Sequence, residues 1–387
     1  MELSSKLKVV FFALLRQEIC GEELSSDIKN LIDEDLLENL FAIAKRQGLS
    51  HLIFDALVKN EITGSKGLFS KLKNEKNVAI FRSNQIDFEL KQISKALEEE
   101  KIDFIFLKGA IIRNLYPEKW MRTSCDIDLL IKEQDLERAI EVLQKSLDYK
   151  SVEKTEQDVQ FLSQSGLTIE LHFSLYRGEE NEYAKLLNCA WDNVVEAQTN
   201  RKILTNEFFY LYHIVHMALH FKQGGCGIRP FIDLYLIKKN VNVQRETVAE
   251  YLEEIGLLTF ENHIFRASKF ILGEIESNNI INSIIDFVLG SEMYGDIKNR
   301  ALINQAKKGG KKKFILSRIF ISYSELLEQY PKLKKFKILY PYYSVKRWLR
   351  LLFGKDSKRV RREIKVINST TEEENKKIKE LLNNLKI

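Results

Sequence analysis

Two short apolar runs, residues 104–107 and 126–131, constrain this chain more than any other feature. The stretch FIFLKGAIIRNLYPEKWMRTSCDIDLLI sets Lys108 and Gly109 at the end of the first run and Asp126 and Asp128 inside the second. Runs this short and this apolar suit buried strands. Side chains alternate along a strand, so Asp126 and Asp128 share one face, flanked by Ile127, Leu129, Leu130 and Ile131. Two carboxylates held that close repel and shift their pKa values unless a cation lies between them. Oxygen donors of this kind select a hard divalent ion, magnesium or manganese. Such an ion beside a flexible glycine turn points to phosphate chemistry.

Around this unit the chain reads as helix. It has 4 prolines and 17 glycines in 387 residues, few turn formers for its size, and is rich in Leu, Lys, Glu and Ile. At 44% hydrophobic it can bury real cores, which excludes a disordered chain. Residues 1–100 form an N-terminal helical region. Val9, Phe12, Leu15 and Ile19 recur at helical spacing there, and acidic residues 33–35 suit a helix start. The stretch 81–100 is an amphipathic helix with Ile86, Phe88, Leu90, Ile93 and Leu97 as core positions. Residues 101–200 alternate strand and helix, including a helix at 133–146 and strands at 160–162 and 167–175 about Gly166. Residues 201–305 return to helix, and 306–387 form a basic, aromatic C-terminal helical region and tail. The fold class expected is α+β: a small α/β core with a mixed sheet between helical regions.

The third carboxylate comes from residues 167–175. In the run Thr168-Ile169-Glu170-Leu171-His172, Glu170 and His172 share one strand face. If this strand pairs beside 126–131, Glu170 joins Asp126 and Asp128 in a metal site of the two-ion kind, where Glu170 also accepts a proton from an attacking hydroxyl. His172 either orients Glu170 or substrate at the site edge, or is a satisfied half-buried histidine.

These motifs carry a resemblance. LKG, then R-x-x-x-DIDLLI, then IELHFSL, then HxxHxxxH with a downstream R-x-x-x-D resembles the uncharacterised bacterial nucleotidyltransferase family of the polymerase-beta-like superfamily. The resemblance implies metal-dependent transfer of a nucleoside monophosphate from a nucleoside triphosphate, with release of pyrophosphate. Asp126, Asp128 and Glu170 match its metal-binding and catalytic carboxylates. Lys108, Gly109 and Ala110 match the nucleotide-binding turn, with Ala110 where glycine or serine is usual. Arg122 matches a basic residue before the aspartates and offers a bidentate phosphate contact. The alternatives are a surface lysine at 108 and a solvated arginine at 122. The basic C-terminal section also looks like the family.

His213, His216 and His220 share one helix face at i, i+3 and i+7. They pack structurally, bind zinc with a third ligand, or line a substrate cleft with Arg229 and Asp233. The resemblance favours the cleft, with Asp233 orienting Arg229 or a histidine, or binding the acceptor. The C-terminal section mixes lysines with aromatics, a pattern suited to nucleic acid, to peripheral contact with an anionic membrane, or to a helix with solvated lysines. The net charge of +5 does not demand a polyanionic partner. Four scattered cysteines without a CxxC pair argue against a zinc ribbon or a disulfide framework. No apolar run approaches a membrane span, and no leader is recognisable, so a cytoplasmic setting is expected. The function expected is nucleotidyl transfer to a small-molecule, sugar, peptide or protein hydroxyl. The alternatives are RNA tailing and an inactive nucleotide-binding scaffold. The sequence leaves the acceptor open.

Overall fold

The computed structural model describes residues 5–176, 181–195, 199–292, 295, 297–353 and 365–387. The chain forms two compact units. One comprises Met1–Ala218 and Gly227–Met293, the other Leu219–Cys226 and Tyr294–Ile387. This division regroups the four segments drawn from composition. The fold is mostly helical around one mixed sheet, an α+β arrangement. Among the described residues, no helix is long and apolar enough to cross a membrane.

Among the described residues, seven strands build the sheet of the first unit: β1 (Phe104–Phe106), β2 (Asp126–Ile131), β3 (Lys150–Lys154), β4 (Asp158–Leu162), β5 (Thr168–His172), β6 (Val194–Val195) and β7 (Arg201–Leu204). Their order is β3-β4-β5-β2-β1-β7-β6. The β2–β5 and β1–β7 pairs are parallel, and the others are antiparallel. Gly166, with φ of 81°, turns the chain between β4 and β5, where its missing Cβ removes the penalty of that backbone.

The register sorts the side chains by face. Ile127 pairs with Ile169 and Leu129 with Leu171, and Phe104 and Phe106 lie opposite Ile131 and Leu129. These residues form one apolar core with Ile86, Ile93 and Leu97 of the helix Lys66–Glu99, and with Leu136, Ala139 and Leu143. The opposite parity carries Asp126, Asp128, Thr168, Glu170 and His172. One face is thus spent on packing, and the other sets the polar groups beside the buried Leu130.

Several expectations need correction. The helix expected at 81–100 runs from Lys66 to Glu99, capped by Ser65, which accepts from Leu68 N. Phe88 is 56% exposed rather than a core residue, because it lies two positions, over half a turn, from Ile86. Val9 is also exposed, whereas Phe12, Leu15 and Ile19 are buried as expected, joined by Leu7, Val10 and Leu14. Residues 201–204 are strand, not helix, and β3 and β6 carried no strand signal. Every residue of β3 is exposed, and its charged side chains suit a sheet edge. The acidic helix start holds: the Asp33 carboxylate accepts from Leu36 N at 2.8 Å.

Candidate active site

The parallel pairing of β2 with β5 sets Asp128 directly opposite Glu170 and Leu130 opposite His172. His172 Nε2 lies 3.0 Å from Asp128 Oδ1 and 3.4 Å from Glu170 Oε2. Lys108 reaches the same Asp128 oxygen, its Nζ donating at 3.0 Å. Asp128 and His172 are buried, whereas Lys108 and Glu170 are partly open. Gln160, across β4, donates to Glu170 Oε1 at 3.5 Å.

Electrostatics follow from that packing. Burial disfavours every charge here, but the ion pairs win. Lys108 and His172 hold the Asp128 carboxyl well below its ordinary range. Asp128 in turn holds the Lys108 ammonium well above its own. Burial lowers His172, yet its contacts with Asp128 and Glu170 raise it to about 9, so the imidazole is cationic at neutral pH.

Lys108 stands in backbone that L-residues rarely adopt, with φ of 41° and ψ of −116°. Leu107 N donates to Asp128 O at 2.9 Å, tying this turn to β2. Ala110 N donates back to Leu107 O at 3.2 Å, and Ile111 N and Ile112 N donate to Lys108 O at 3.1 and 2.9 Å, closing the turn. Ala110 itself lines, with Phe106, Asn114 and Lys119, a surface cleft of about 650 Å³. Gly109 is needed because a Cβ there would fall 2.5 Å from Arg122 Nη1.

Arg122 is neither a solvated loop residue nor open to ligand on its Nε side. Its Nε and Nη2 donate to the two Asp233 oxygens at 3.2 and 2.9 Å, and Tyr116 OH donates to Asp233 Oδ1 at 2.7 Å. All three are buried or nearly so. Burial opposes both charges, but the pair keeps Arg122 above and Asp233 below their usual values. Asp233 therefore holds Arg122 by hydrogen bonds, and its charge also reaches the neighbouring His213. Arg229 Nη2 donates to Gly48 O at 3.2 Å and Thr123 Oγ1 at 3.1 Å, bracing the loop before β2.

Asp126 stands on the same strand face as Asp128, but its carboxylate accepts from the Ser124 hydroxyl. Among the described residues, the ligand atoms that converge are those of Asp128, Glu170 and His172, all within 4.8 Å of one another. His172, and not Asp126, supplies the third converging ligand atom, while Asp126 remains near enough to act electrostatically on Lys108 and Arg122. Two carboxylates so placed suit one divalent ion, and the imidazole would join them only on giving up the proton it shares with Asp128. Carboxylates suit magnesium, and the imidazole widens the choice toward manganese.

Of the histidine helix, Asn206–Gln223, one unexpected residue joins the cluster. Burial raises the Tyr212 phenol to about 12, opposed by the adjacent Lys108 and assisted by Asp128 and Glu170. Nothing in the sequence marks Tyr212, an aromatic on an apolar helix. His216 packs against it with ring centroids 6.2 Å apart. His213 lies at 3.1 Å from Pro230 O, and burial lowers its pKa. His220 belongs to the second unit. Among the described residues, neither His216 nor His220 is part of a converging ligand set.

Residues 33–273 match the model of a family described as uncharacterised nucleotidyltransferases. The chain belongs to that family. The match takes in the whole sheet, the histidine helix and the helix Arg229–Asn240 that supplies Asp233. It stops before the basic C-terminal section, which is therefore not part of the demonstrated likeness. No curated protein and no solved structure matches the chain.

Proposed function

We propose that this nucleotidyltransferase moves a nucleoside monophosphate from a nucleoside triphosphate onto a hydroxyl of a small-molecule, sugar, peptide or protein acceptor. Its cation would be magnesium or manganese, held by Asp128 and Glu170 with Asp126 and His172 beside them. The observation carrying this reading is the β2–β5 register, which holds Asp128 and Glu170 side by side with Lys108 Nζ on Asp128. The acceptor oxygen bonds to the α-phosphorus, the bond between that phosphorus and the bridging oxygen breaks, and pyrophosphate leaves. Glu170, partly open, takes the hydroxyl proton. Lys108 offers its ammonium to the triphosphate once Asp128 no longer needs it. The cation, when bound, supplies charge stabilisation at the transferring phosphoryl group.

A second reading draws on the same cluster. Lys108 and His172 already neutralise much of its negative charge, so the residues also suit a nucleotide-binding scaffold without catalysis. RNA tailing gains no comparable support from the site itself.

One assay separates these readings. The protein is incubated with each labelled nucleoside triphosphate, Mg2+ or Mn2+, and a lysate as acceptor source. Catalysis predicts pyrophosphate release that Asp128→Ala abolishes. Equal release by wild type and variant sinks the proposal, and triphosphate binding without any release favours the scaffold.

A further inference from the structure

The whole-chain charge of +5 hides a strong asymmetry. The 47 residues from Lys307 to Phe353 contain thirteen Lys and Arg and two Glu, a net +11. The rest of the chain therefore carries −6. The described part of this section, in the second unit, also exposes apolar side chains out of proportion to its length. Nine of the twenty exposed large apolar side chains among the described residues lie in it.

Packing brings many of these together. The helix Tyr340–Phe353 lies on the end of the helix Lys311–Ile319: Trp348 Nε1 donates to Ile319 O at 2.8 Å, and the Phe320 and Trp348 rings meet edge to face at 5.7 Å. Ile319, Phe320 and Val345 share an apolar groove of about 260 Å³. Tyr342, Val345 and Leu349, at i, i+3 and i+7, continue the exposed stripe along the helix. Ile338, 87% exposed, stands just before it. Lys334, Lys335, Lys337 and Lys346 are exposed among them.

We infer that this basic, apolar face docks the protein on an anionic lipid bilayer. The charge is complementary to acidic headgroups, and the apolar side chains are placed to enter the interface between them. Aliphatic character decides between lipid and single-stranded nucleic acid. Nucleic-acid platforms use aromatic rings for stacking. Six of the nine exposed apolar side chains are aliphatic, with Ile338 the most exposed of all. An aliphatic side chain gains by leaving water for acyl chains, and has no π face for a base.

The test is flotation of the full-length protein with vesicles of phosphatidylcholine, or of phosphatidylcholine with about one third phosphatidylglycerol. Wild type should float with the anionic vesicles only, and about 0.5 M NaCl should strip it off. Ile338→Asp with Leu349→Asp, and separately Lys334→Glu with Lys335→Glu and Lys337→Glu, should each weaken binding at least tenfold while the thermal melt stays unchanged. Asp128→Ala should float like wild type, so the outcome is independent of the catalytic reading. No flotation, equal flotation on neutral vesicles, indifference to salt, or tighter binding to single-stranded RNA than to anionic vesicles would each overturn the inference. The salt titration needs no variant and stands even if a substituted chain misfolds.

Discussion

Lys108 Nζ lies 3.0 Å from Asp128 Oδ1, so a side chain of the glycine turn occupies an oxygen that a divalent ion would use. Lysine and ion then compete for one carboxylate. Lys108→Met should raise Mn2+ affinity by about tenfold, read by electron paramagnetic resonance of free Mn2+, because a competing cation is gone. The same variant should lose triphosphate-dependent pyrophosphate release by at least about 100-fold, because the phosphates lose their ammonium. Parallel loss of ion binding and activity would show that Lys108 supports the ion rather than competing with it.

Gly109→Ala tests the close approach of Arg122. Glycine-to-alanine changes in a helix usually stabilise by up to ~1 kcal/mol. Here the new Cβ would meet Arg122 Nη1 at 2.5 Å, and Asp233 holds that guanidinium in place. The sign should therefore invert, with a loss of about 1–3 kcal/mol in urea unfolding. Gly67→Ala, in the helix Lys66–Glu99 with nothing within 4 Å of its added Cβ, is the control and should be neutral to stabilising. Equal effects at both positions would contradict the packing described.

Asp233→Ala leaves the Arg122 guanidinium buried without its carboxylate partner. Removing one partner of such a pair costs about 3–5 kcal/mol. Arg122→Met combined with Asp233→Leu should recover much of that loss in denaturant unfolding, since no buried charge remains. If the double variant is as unstable as the single one, the two residues are not coupled.

His51 gives stability an acid limit. Its ring is buried, and because Met121 O accepts at 2.8 Å, Nε2 carries the hydrogen. Burial pushes its pKa down to about 4, below the ordinary 6.5. The unfolded chain thus binds the extra proton first as pH falls, so stability is complete above about 6.5 and declines toward 4. Between pH 7 and pH 5 the loss from this group is about 2 kcal/mol. His51→Gln should flatten the fall in urea midpoint over that range. An unchanged slope would place the acid sensitivity elsewhere.

The α/β unit was legible because short, nearly continuous apolar runs and a glycine turn lie close together in sequence. The DIDLLI strand and the Glu170–His172 alternation each signalled a polar face. Their mutual register was only a conditional expectation, since pairing between distant strands leaves no local trace. Edge strands escaped notice for a related reason. Lys150–Lys154 has no buried face and so no alternation to read. Arg122 was legible as a cation but not as the partner of Asp233, which is 111 residues away. Tyr212 was invisible because its role depends on which way one helix face is turned, and an apolar helix does not say.

The register between β2 and β5 also sets what changes the sequence can tolerate. Substitutions in the hairpin Lys150–Leu162 leave the parity of Glu170 untouched, whereas one residue inserted or lost within β5 before Glu170 would present Ile169 or Leu171 to the cations and turn a carboxylate into the greasy side of the sheet. Length variation during descent should therefore collect in the turn at Gly166 and at the strand edges, and spare the five residues from Thr168 to His172.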